Sequence, residues 1–347
     1  MIGRRLISIS SPDSPKWCAL KSIVRAATTA AAQSIPMTDD SGVSQKLPFF
    51  RTNESSPVNH TKLQSGKFYT IDPHIRKLIF LHGGVPKPYA IQTDTFNEMC
   101  FMVRNPALEI ISYLKSANYS DPAIRYVIFP NWFWKPKECA DSMTQEGFVD
   151  LPLDAAAWLI HFKTQNAVLL EKLQLTVSQE YLWSKREVTP KGAPLSDLIE
   201  LGISRIKYSS DCVAAVLKEV KQYTELGRCK TLVALDGFNI FFYPNIKIRL
   251  ANKTLVSPDR VSLTRPFLEM TKIDWSNAAV VGFEHLDPFI PVQVEPYTEK
   301  ELESCLAYYA DRKWITNSKG LTEEGKKELA FLSARIPREL MNICAAL

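Results

Sequence analysis

The sequence predicts an α/β protein in which buried strands alternate with amphipathic helices. Three runs rich in β-branched and aromatic residues have the composition of buried strands: AIRYVIF (123–129), TLVALD (231–236) and NAAVVGF (277–283). Around them lie longer segments whose apolar residues recur every three or four positions, the spacing of one helix face. Strands that alternate with helices favour a sheet covered by helices, so an α/β domain is the expected architecture.

Capping signals predict where several helices begin. Thr95 with Glu98, and Thr298 with Glu301, have the spacing of a capping box, so a helix is expected to start at each threonine. Thr322, followed by two acids, is a third predicted N-cap. Proline suits the first helical turn. Further helices are predicted over 106–117 and 153–175, from Pro194, near Asp211 and from Pro337.

The N-terminal segment has the composition of a mitochondrial transit peptide. Residues 1–34 carry five basic side chains against one acid, Asp13, a net charge of +4. The alternative is a disordered basic tail. Residues 35–66 are polar and rich in proline, serine and asparagine, which predicts a poorly ordered lead-in. Because the whole chain has a net charge of +5, the remainder carries +1 and has no general positive field for nucleic acid.

Composition argues against several classes of protein. The chain is 46% hydrophobic and 23% charged, which is ordinary for a globular protein. No run approaches the roughly 18 apolar residues of a membrane span, so no membrane partner is expected. The seven cysteines contain no C-x-x-C pair, and the five histidines show no H-E-x-x-H spacing. A disulfide framework, a zinc site and any other metal centre are therefore not expected.

The strand that ends at Asp236 resembles part of a nucleotide site. A buried strand that delivers an acid at its carboxyl end is how nucleotide hydrolases place a magnesium-holding aspartate, but such a site also needs G-x-x-x-x-G-K-[ST] between a strand and a helix. The near match at 320–327, GLTEEGKK, has lysine in place of the hydroxyl residue, two carboxylates inside the loop and no preceding strand. HGGVPKP (82–88) lacks the spacing and a following helix, so a tight turn is expected there.

Several long strings in the sequence resemble one known family. They are RTNE (51–54), NPALEIISYLK (105–115), PAIRY (122–126), AAWLIHFKTQN (156–166), KGAPLSDLIELGISRI (191–206), LVALDGFN (232–239), LDPFIPV (286–292) and TEEGKKELAFLS (322–333). From about residue 50 onward the chain is similar to the mitochondrial small-subunit ribosomal proteins of the death-associated protein 3 family. The resemblance implies a P-loop NTPase-like (AAA+-like) parallel sheet, GTP and magnesium binding, and the association with apoptosis in the family name.

The sequence also departs from the family at the point that matters for nucleotide binding. In the family, the strand matching AIRYVIF runs into a glycine-rich loop ending in Gly-Lys-Thr, followed by a helix and a second strand. Here Phe129 is followed by PNWFWKPKECADS, which resembles the segment after that second strand. A unit of roughly thirty residues is therefore missing, the size of a βαβ piece. A second gap is expected between AAVVGFEH and LDPFIPV.

Only Asp236, and less strongly Asn239, can be carried over as nucleotide-binding residues. The implied organisation is a transit peptide (1–34), the lead-in (35–66), an NTPase-like α/β core without its phosphate-loop unit (67–294) and a small C-terminal helical module (295–347). Leu306, Tyr309, Leu340 and Ile343 are expected to pack that module. Neither catalysis nor a bound cofactor is expected of this form, because nothing replaces the missing loop.

Three functions follow from these observations. The first is a structural constituent of the mitochondrial small ribosomal subunit in the matrix, held by other ribosomal proteins and, through basic patches such as KREVTPK (185–191), by ribosomal RNA. The alternative for that patch is a solvated loop. The second is a GTP-binding switch, in which Asp236 would hold Mg²⁺. If the loop is missing, Asp236 is more simply a strand-end residue that caps a turn.

The third function is single-stranded RNA binding through NWFWKPK (131–137), where Trp132, Phe133 and Trp134 could stack on bases beside two lysines. The alternative for these rings is burial in the core, which aromatic residues near a strand end favour.

Overall fold

The computed structural model describes residues 4–9, 47–80, 87–117, 123–128, 131–133, 135–243, 246–250, 253–272, 274–283 and 290–344. The helices are α1 (Pro73–Phe80), α2 (Lys87–Phe96), α3 (Asn105–Ser116), α4 (Pro152–Leu173), α5 (Leu195–Ser204), α6 (Ser209–Glu225), α7 (Thr264–Glu269), α8 (Glu299–Asp311), α9 (Glu323–Leu332) and α10 (Pro337–Cys344). The strands are β1 (Arg4–Ile9), β2 (Phe68–Thr70), β3 (Cys100–Met102), β4 (Ile124–Ile128), β5 (Ala140–Asp141), β6 (Val149–Asp150), β7 (Tyr181–Leu182), β8 (Val188–Thr189), β9 (Thr231–Leu235), β10 (Ala278–Phe283) and β11 (Ile290–Gln293).

Within the described residues, the largest sheet has the strand order β11-β1-β10-β9-β4. β4, β9 and β10 are parallel and aligned, so that Ile128, Leu235 and Gly282 lie side by side at the carboxyl edge. β1 is antiparallel to both β10 and β11. The sheet is therefore mixed, whereas the sequence predicts a parallel one. Parallel neighbours need a long crossover connection, whereas antiparallel neighbours do not. β1, which comes from the N-terminus, can therefore lie between β10 and β11 and be antiparallel to both.

The two faces of this sheet are covered to different degrees. Val233 and Leu235 of β9 point into the main core together with Ala278 and Val280 of β10. Helices α4 to α7 pack on this face. On the opposite face Ile110 of α3 packs with residues of β10 and β11, but Leu232 and Ala234 of β9 are only half-buried. A largely parallel sheet usually has both faces covered by helices, so this second face is less protected than is usual.

Three helices pack unusually closely on the covered face. α4, α5 and α6 contact one another, and Gly202 of α5 lies where any side chain would collide. A Cβ at position 202 would be 2.4 Å from Leu159 Cδ1 and 2.7 Å from Cys212 Cβ. Ser209, at the start of α6, donates a 2.6 Å hydrogen bond from its hydroxyl to the Gly202 carbonyl. The absence of a side chain at Gly202 thus sets the spacing of the helical layer.

The C-terminal helices share a second core with the N-terminal part of the described chain. Leu306 and Tyr309 of α8 and Leu340 of α10 are buried there beside Phe50 and Phe68. Ile343 is half-buried against the same cluster. The prediction that Leu306, Tyr309, Leu340 and Ile343 pack the module is confirmed. The module does not form this core alone, however, because residues 47–102 contribute to it.

Residues 47–66 differ from the predicted lead-in. They form turns and two short 3-10 helices, Pro57–Asn59 and Lys62–Gln64. Phe50 is buried, and Phe68 N donates a 2.7 Å hydrogen bond to Phe50 O. The segment is polar, as predicted, but it is ordered because the Phe50 side chain is buried and the Phe50 carbonyl accepts a hydrogen bond from Phe68. Residues 35–46 lie outside the described residues, as does all of the predicted transit peptide except β1.

The capping signals gave mixed results. Thr298 and Glu301 form both bonds of the predicted box, at 2.9 and 3.2 Å, and Thr322 caps α9.

The prediction that a helix starts at Thr95 is wrong, because α2 ends at Phe96. The Thr95 hydroxyl donates to Ile91 O in the last turn, and Asn97 adopts a left-handed conformation with φ of 53°. α2 also begins at Lys87, inside HGGVPKP, so the expectation that this segment has no following helix is wrong. Residues 81–86 lie outside the described residues.

The close approach at Gly202 generates a stability prediction. Gly202→Ala is expected to lower the free energy of unfolding by about 1–2 kcal/mol, because an approach of 2.4 Å puts the overpacking cost at about 2–3 kcal/mol and better helix propensity offsets about 1 kcal/mol. Urea unfolding followed by tryptophan fluorescence measures the change. Gly282→Ala is the control, since no atom lies within 4 Å of an added Cβ there and the change should stay below about 0.5 kcal/mol. Equal effects would contradict the packing argument.

Candidate functional site

The two predicted nucleotide-binding residues lie just beyond the carboxyl end of β9. The backbone leaves the strand through Gly237, whose φ of 70° lies in the left-handed region, and enters a 3-10 helix over Phe238–Phe241. Asp236 and Asn239 are both exposed, while Phe238, Ile240 and Phe241 point into the core. The apolar residues after the glycine thus turn the chain back onto the core and leave the polar ones in solvent.

The donor set at this edge does not fit a magnesium nucleotide. The residues that pair with Leu235, just before Asp236, are Ile128 and Gly282, and neither offers a polar side chain. Among the described residues no group of three or more His, Cys, Asp or Glu side chains could hold a metal ion. A single exposed carboxylate and an amide cannot replace a lysine, a hydroxyl ligand and a row of loop N–H groups. We therefore derive no nucleotide chemistry from this site.

The near match to a phosphate loop at 320–327 is a helix start, as the sequence argument concluded. Thr322 caps α9 and accepts a 3.1 Å hydrogen bond from Gly325 N. A Cβ at Gly325 would lie 2.0 Å from Lys319 O, so this glycine is needed for close backbone packing. The preceding segment, Ser318–Leu321, is a 3-10 helix and not a strand.

A half-buried carboxylate, Glu98, connects the segment around Arg51 with the C-terminal end of helix α8. Arg51 binds it with both terminal nitrogens, at 2.7 and 3.3 Å, and the Tyr308 hydroxyl donates to Glu98 Oε1 at 3.0 Å. Arg312 Nε lies 2.8 Å from the same oxygen. Burial by itself raises the pKa of Glu98, but Arg51, Tyr308 and Arg312 together lower it below its usual value.

A second arginine–glutamate pair connects the N-terminal side of the second core with α8. We call the contacts of Glu98 and Arg104 together the joint. Arg104 Nε donates to Glu301 Oε1 at 3.0 Å, and its Nη2 donates to the backbone oxygen of Glu295 at 2.7 Å. The guanidinium lies 5.0 Å from the centroid of the Tyr297 ring. Glu301 also closes the capping box of α8, so one side chain fixes both the helix start and its partner segment.

An aromatic-lined cavity of about 500 Å³ lies at this joint, between residues 68–102 and the C-terminal helices. Cys100 and Cys305 line it beside Tyr308 and Tyr309. Burial raises the pKa of both thiols, that of Cys305 to about 12. Because the thiolate is the reactive form, these cysteines are not nucleophiles at neutral pH. The six cysteines in the described part of the chain are all free thiols.

The predicted RNA-contacting residues separate into buried rings and exposed charges. Trp132 and Phe133 are buried in the main core, as the alternative reading of NWFWKPK predicts, whereas Lys135 and Lys137 are exposed. Trp134 lies outside the described residues. In KREVTPK the basic side chains are exposed around the short β7–β8 hairpin, which fits a solvated loop.

The exposed apolar side chains of the C-terminal module form another surface. Phe331 and Leu332 end α9 with 84% and 57% of their surface exposed, and Ile336 follows with 41%. Between them Ala334 and Arg335 both have positive φ, at 47° and 57°, a conformation that side chains disfavour.

Among the described residues, no helix is long and apolar enough to cross a membrane.

Comparison with known proteins decides the family. The family model for the mitochondrial ribosomal death-associated protein 3 matches residues 129–284 and 282–343. The chain is a member of this family. It is 36% identical to the small ribosomal subunit protein mS29 of Bos taurus, covering 86% of this chain and 88% of the relative. It is 33% identical to the mS29 protein of Mus musculus, covering 90% and 94%.

The boundaries of the family match coincide with the two predicted gaps. The first matched range starts at residue 129, directly after β4, where the sequence analysis places the missing phosphate-loop unit. The two ranges meet at 282–284, next to the second gap predicted before LDPFIPV. The resemblance identified from the sequence is confirmed. Sequence reasoning missed the Glu98 and Arg104 contacts, because their partners lie 47 to 214 residues away in the chain.

The geometry after β9 generates a binding prediction. The purified chain is expected to bind neither GTP nor ATP at micromolar concentration in the presence of Mg²⁺, because a phosphate cradle is missing from the sequence. Isothermal titration calorimetry is the measurement, and Asp236→Ala should change nothing. Saturable, Mg²⁺-dependent binding that is lost in Asp236→Ala would show that another segment supplies the cradle.

The Glu98 joint generates a pH prediction. Because its folded pKa lies below the usual value of 4.5, Glu98 contributes stability above that pH and loses it as the pH falls through the folded pKa. Glu98→Gln is expected to lower the free energy of unfolding by about 1–3 kcal/mol at pH 7, since it leaves two arginines without their carboxylate. In urea titrations the difference from the unaltered protein should shrink in acid, as Glu98 becomes protonated.

The matched control is Glu323→Gln. Glu323 also has a lowered pKa, through Lys326, but it is exposed and pairs only with a neighbour on the same helix. A surface pair of this kind contributes little, so no measurable change is expected. A loss of stability as large as that of Glu98→Gln would contradict a special role for the joint.

Proposed function

We propose that this chain is a structural constituent of the mitochondrial small ribosomal subunit and supports mitochondrial translation in the matrix. The observation that carries the proposal is its similarity, over 86–90% of its length, to proteins named small ribosomal subunit protein mS29. Its partners are then other proteins of that subunit, with ribosomal RNA touching local basic surfaces. A role of this kind requires a stable shape and exposed contact surfaces, and it needs neither a nucleotide nor a catalytic group.

The core is proposed to derive from a P-loop NTPase-like fold. In support, β4, β9 and β10 are parallel, Asp236 follows the central one of the three, and a small helical module ends the chain. The alternative function, a GTP-binding switch, depends on the phosphate cradle and is not favoured here. On this proposal the chain is not an enzyme and requires no cofactor, and Asp236 and Asn239 are remnants of a nucleotide site.

Import into mitochondria would have a structural consequence. The predicted leader, residues 1–34, includes β1, which pairs with β10 and β11. If the leader is removed after import, the two strands that flank β1 lose their partner. The mature sheet would then have unpaired strand edges at this position, which a neighbouring protein could cover.

The C-terminal module supplies a candidate contact with ribosomal proteins. Deletion of residues 298–347 would be a poor test, because it would uncover Phe50 and Phe68 in the second core. The exposed apolar residues Phe331 and Leu332 can be changed without touching that core. Exposed apolar residues next to polar ones are typical of the centre of protein–protein contacts.

Sedimentation tests the proposal. Tagged protein from lysed mitochondria is expected to co-sediment with the small subunit in a sucrose gradient, with or without added nucleotide, because many contacts hold a ribosomal constituent. Phe331→Asp combined with Leu332→Asp should shift much of it to the top of the gradient. Val168→Asp is the matched control. Val168 is 82% exposed, close to the 84% of Phe331, but it lies on α4 and not on α9.

Two outcomes would contradict the proposal in different ways. If the unaltered protein stays at the top of the gradient while intact and folded, the ribosomal function fails. If it co-sediments but the Val168 variant is lost as fully as the Phe331 and Leu332 variant, the α9 surface has no special part in docking.

A further inference from the structure

The segment after Asp236 is the longest part of the core with cationic residues and no acid. No Asp or Glu occurs between Asp236 and Asp259, whereas Lys247, Arg249 and Lys253 lie in this interval. All three cations are exposed. We call residues 242–255 the basic loop; its residues 244–245 and 251–252 lie outside the described part.

The backbone of the basic loop explains why its charges face solvent. Ile246 and Ile248 are buried in the main core, so Lys247 and Arg249, which alternate with them, point outward. The loop folds back on itself, with Leu250 N donating to Thr254 O at 3.0 Å and Val256 N donating to Ile248 O at 3.0 Å. The described residues of the loop therefore pair with each other, with apolar side chains facing the core and cationic side chains facing solvent.

A second basic segment runs beside the loop. Lys247 N donates a 2.7 Å hydrogen bond to Phe133 O, two residues before the exposed Lys135. Further along, the Arg249 backbone N–H lies against the thiol of Cys139, two residues after the exposed Lys137. Four cations from two segments therefore share this region, and Lys253 extends it. We call these five side chains the basic surface.

Few acids oppose these cations. Glu138 is exposed within the second segment. Asp154 is buried, and it accepts a 3.0 Å hydrogen bond from Lys137 N. Burial raises the pKa of Asp154, against the opposing effects of the Lys137 N–H and charge. The net charge of the basic surface stays positive although the core has almost no net charge.

Two aromatic rings accompany the charges. Phe242 and Tyr243 begin the basic loop with 58% and 46% of their surface exposed. By contrast, Trp132 and Phe133 of the neighbouring segment are buried. Exposed rings next to cations are the combination that binds single-stranded nucleic acid, because bases stack on the rings while lysine and arginine contact the phosphates.

We propose that the basic surface binds single-stranded RNA, with Lys135, Lys137, Lys247, Arg249 and Lys253 contacting phosphates and with Phe242 and Tyr243 stacking on bases. The identity of the RNA as ribosomal rests on the proposed function; the affinity for RNA does not. A protein partner is the less favoured occupant, because five cations beside one exposed acid, Glu138, fit a polyanion better than a mixed protein surface.

Fluorescence anisotropy of the full chain with a labelled single-stranded RNA of random sequence tests the proposal. Combined Lys247→Gln, Arg249→Gln and Lys253→Gln should weaken binding at least about tenfold. The slope of log affinity against log salt should flatten by roughly 2, since three phosphate contacts each release about 0.7 counterion on a single strand. Phe242→Ala should weaken binding about tenfold and leave that slope unchanged.

The matched control removes the same number of charges elsewhere. Lys185→Gln, Arg186→Gln and Lys191→Gln change three exposed cations of the β7–β8 region and should keep the affinity within about twofold. Lys247→Arg with Lys253→Arg keeps the charge and should keep the affinity, which separates charge from folding. Each variant is compared with the unaltered protein by thermal unfolding.

The results distinguish this proposal from the proposed function. Absence of RNA binding by the unaltered chain, or equal losses in the two triple variants, would overturn the RNA surface. So would a folded basic-loop variant that keeps its RNA affinity but leaves the small subunit, because the surface would then contact protein. If RNA binding falls as expected while the unaltered protein never co-sediments, the surface stands and the ribosomal function fails.

Discussion

The carboxylate of Glu98 joins parts of the chain that no local interaction could bring together. It receives a two-pronged contact from Arg51, a hydroxyl from α8 through Tyr308, and the guanidinium of Arg312 just after that helix. An arginine–carboxylate pair of this kind is directional, so it fixes orientation as well as distance. Phe50, adjacent to Arg51, is thereby placed against the C-terminal helices, and the second core can close around it.

The second core changes how the organisation of the chain is understood. The C-terminal helices are amphipathic, and their apolar faces need a partner. That partner is the described part of residues 47–102, so this segment and the C-terminal helices form one folded unit around the cavity between them. A truncation at either end would uncover apolar surface in this unit, and its effect on assembly would be hard to separate from its effect on folding.

The larger core is built around β9, and the sequence contains no phosphate loop that would make Asp236 at its end part of a nucleotide site. β9 remains central because its neighbours on both sides are parallel and its inward residues belong to the main core. Such a strand is retained for packing even when its terminal acid has no ligand. The described residues that follow β9 carry exposed cations, as expected of a protein that makes contacts through its surface.

The sequence by itself determined the elements whose cause is local. Alternation and capping depend on residues within about four positions, so the position of β9, the approximate start of α6, the start of α8 and both bonds of the Thr298 capping box could be predicted. The alternation of strands and helices supplied the α/β class, and the family resemblance supplied the place of the missing phosphate-loop unit, because patterns, matching strings and a missing motif are visible without coordinates.

Only the tertiary structure decided what depends on residues far apart in sequence. Thr95 and Glu98 have the spacing of a capping box, yet Glu98 is drawn to Arg51 and Tyr308, and the helix ends where it was expected to start. In the same way, Lys247 and Arg249 were unremarkable charges in the sequence. They became part of one basic surface because Ile246 and Ile248 are buried and Phe133 lies beside them. Long-range burial and charge pairing outweigh a local preference of about 1 kcal/mol, and no pattern within a short window contains them.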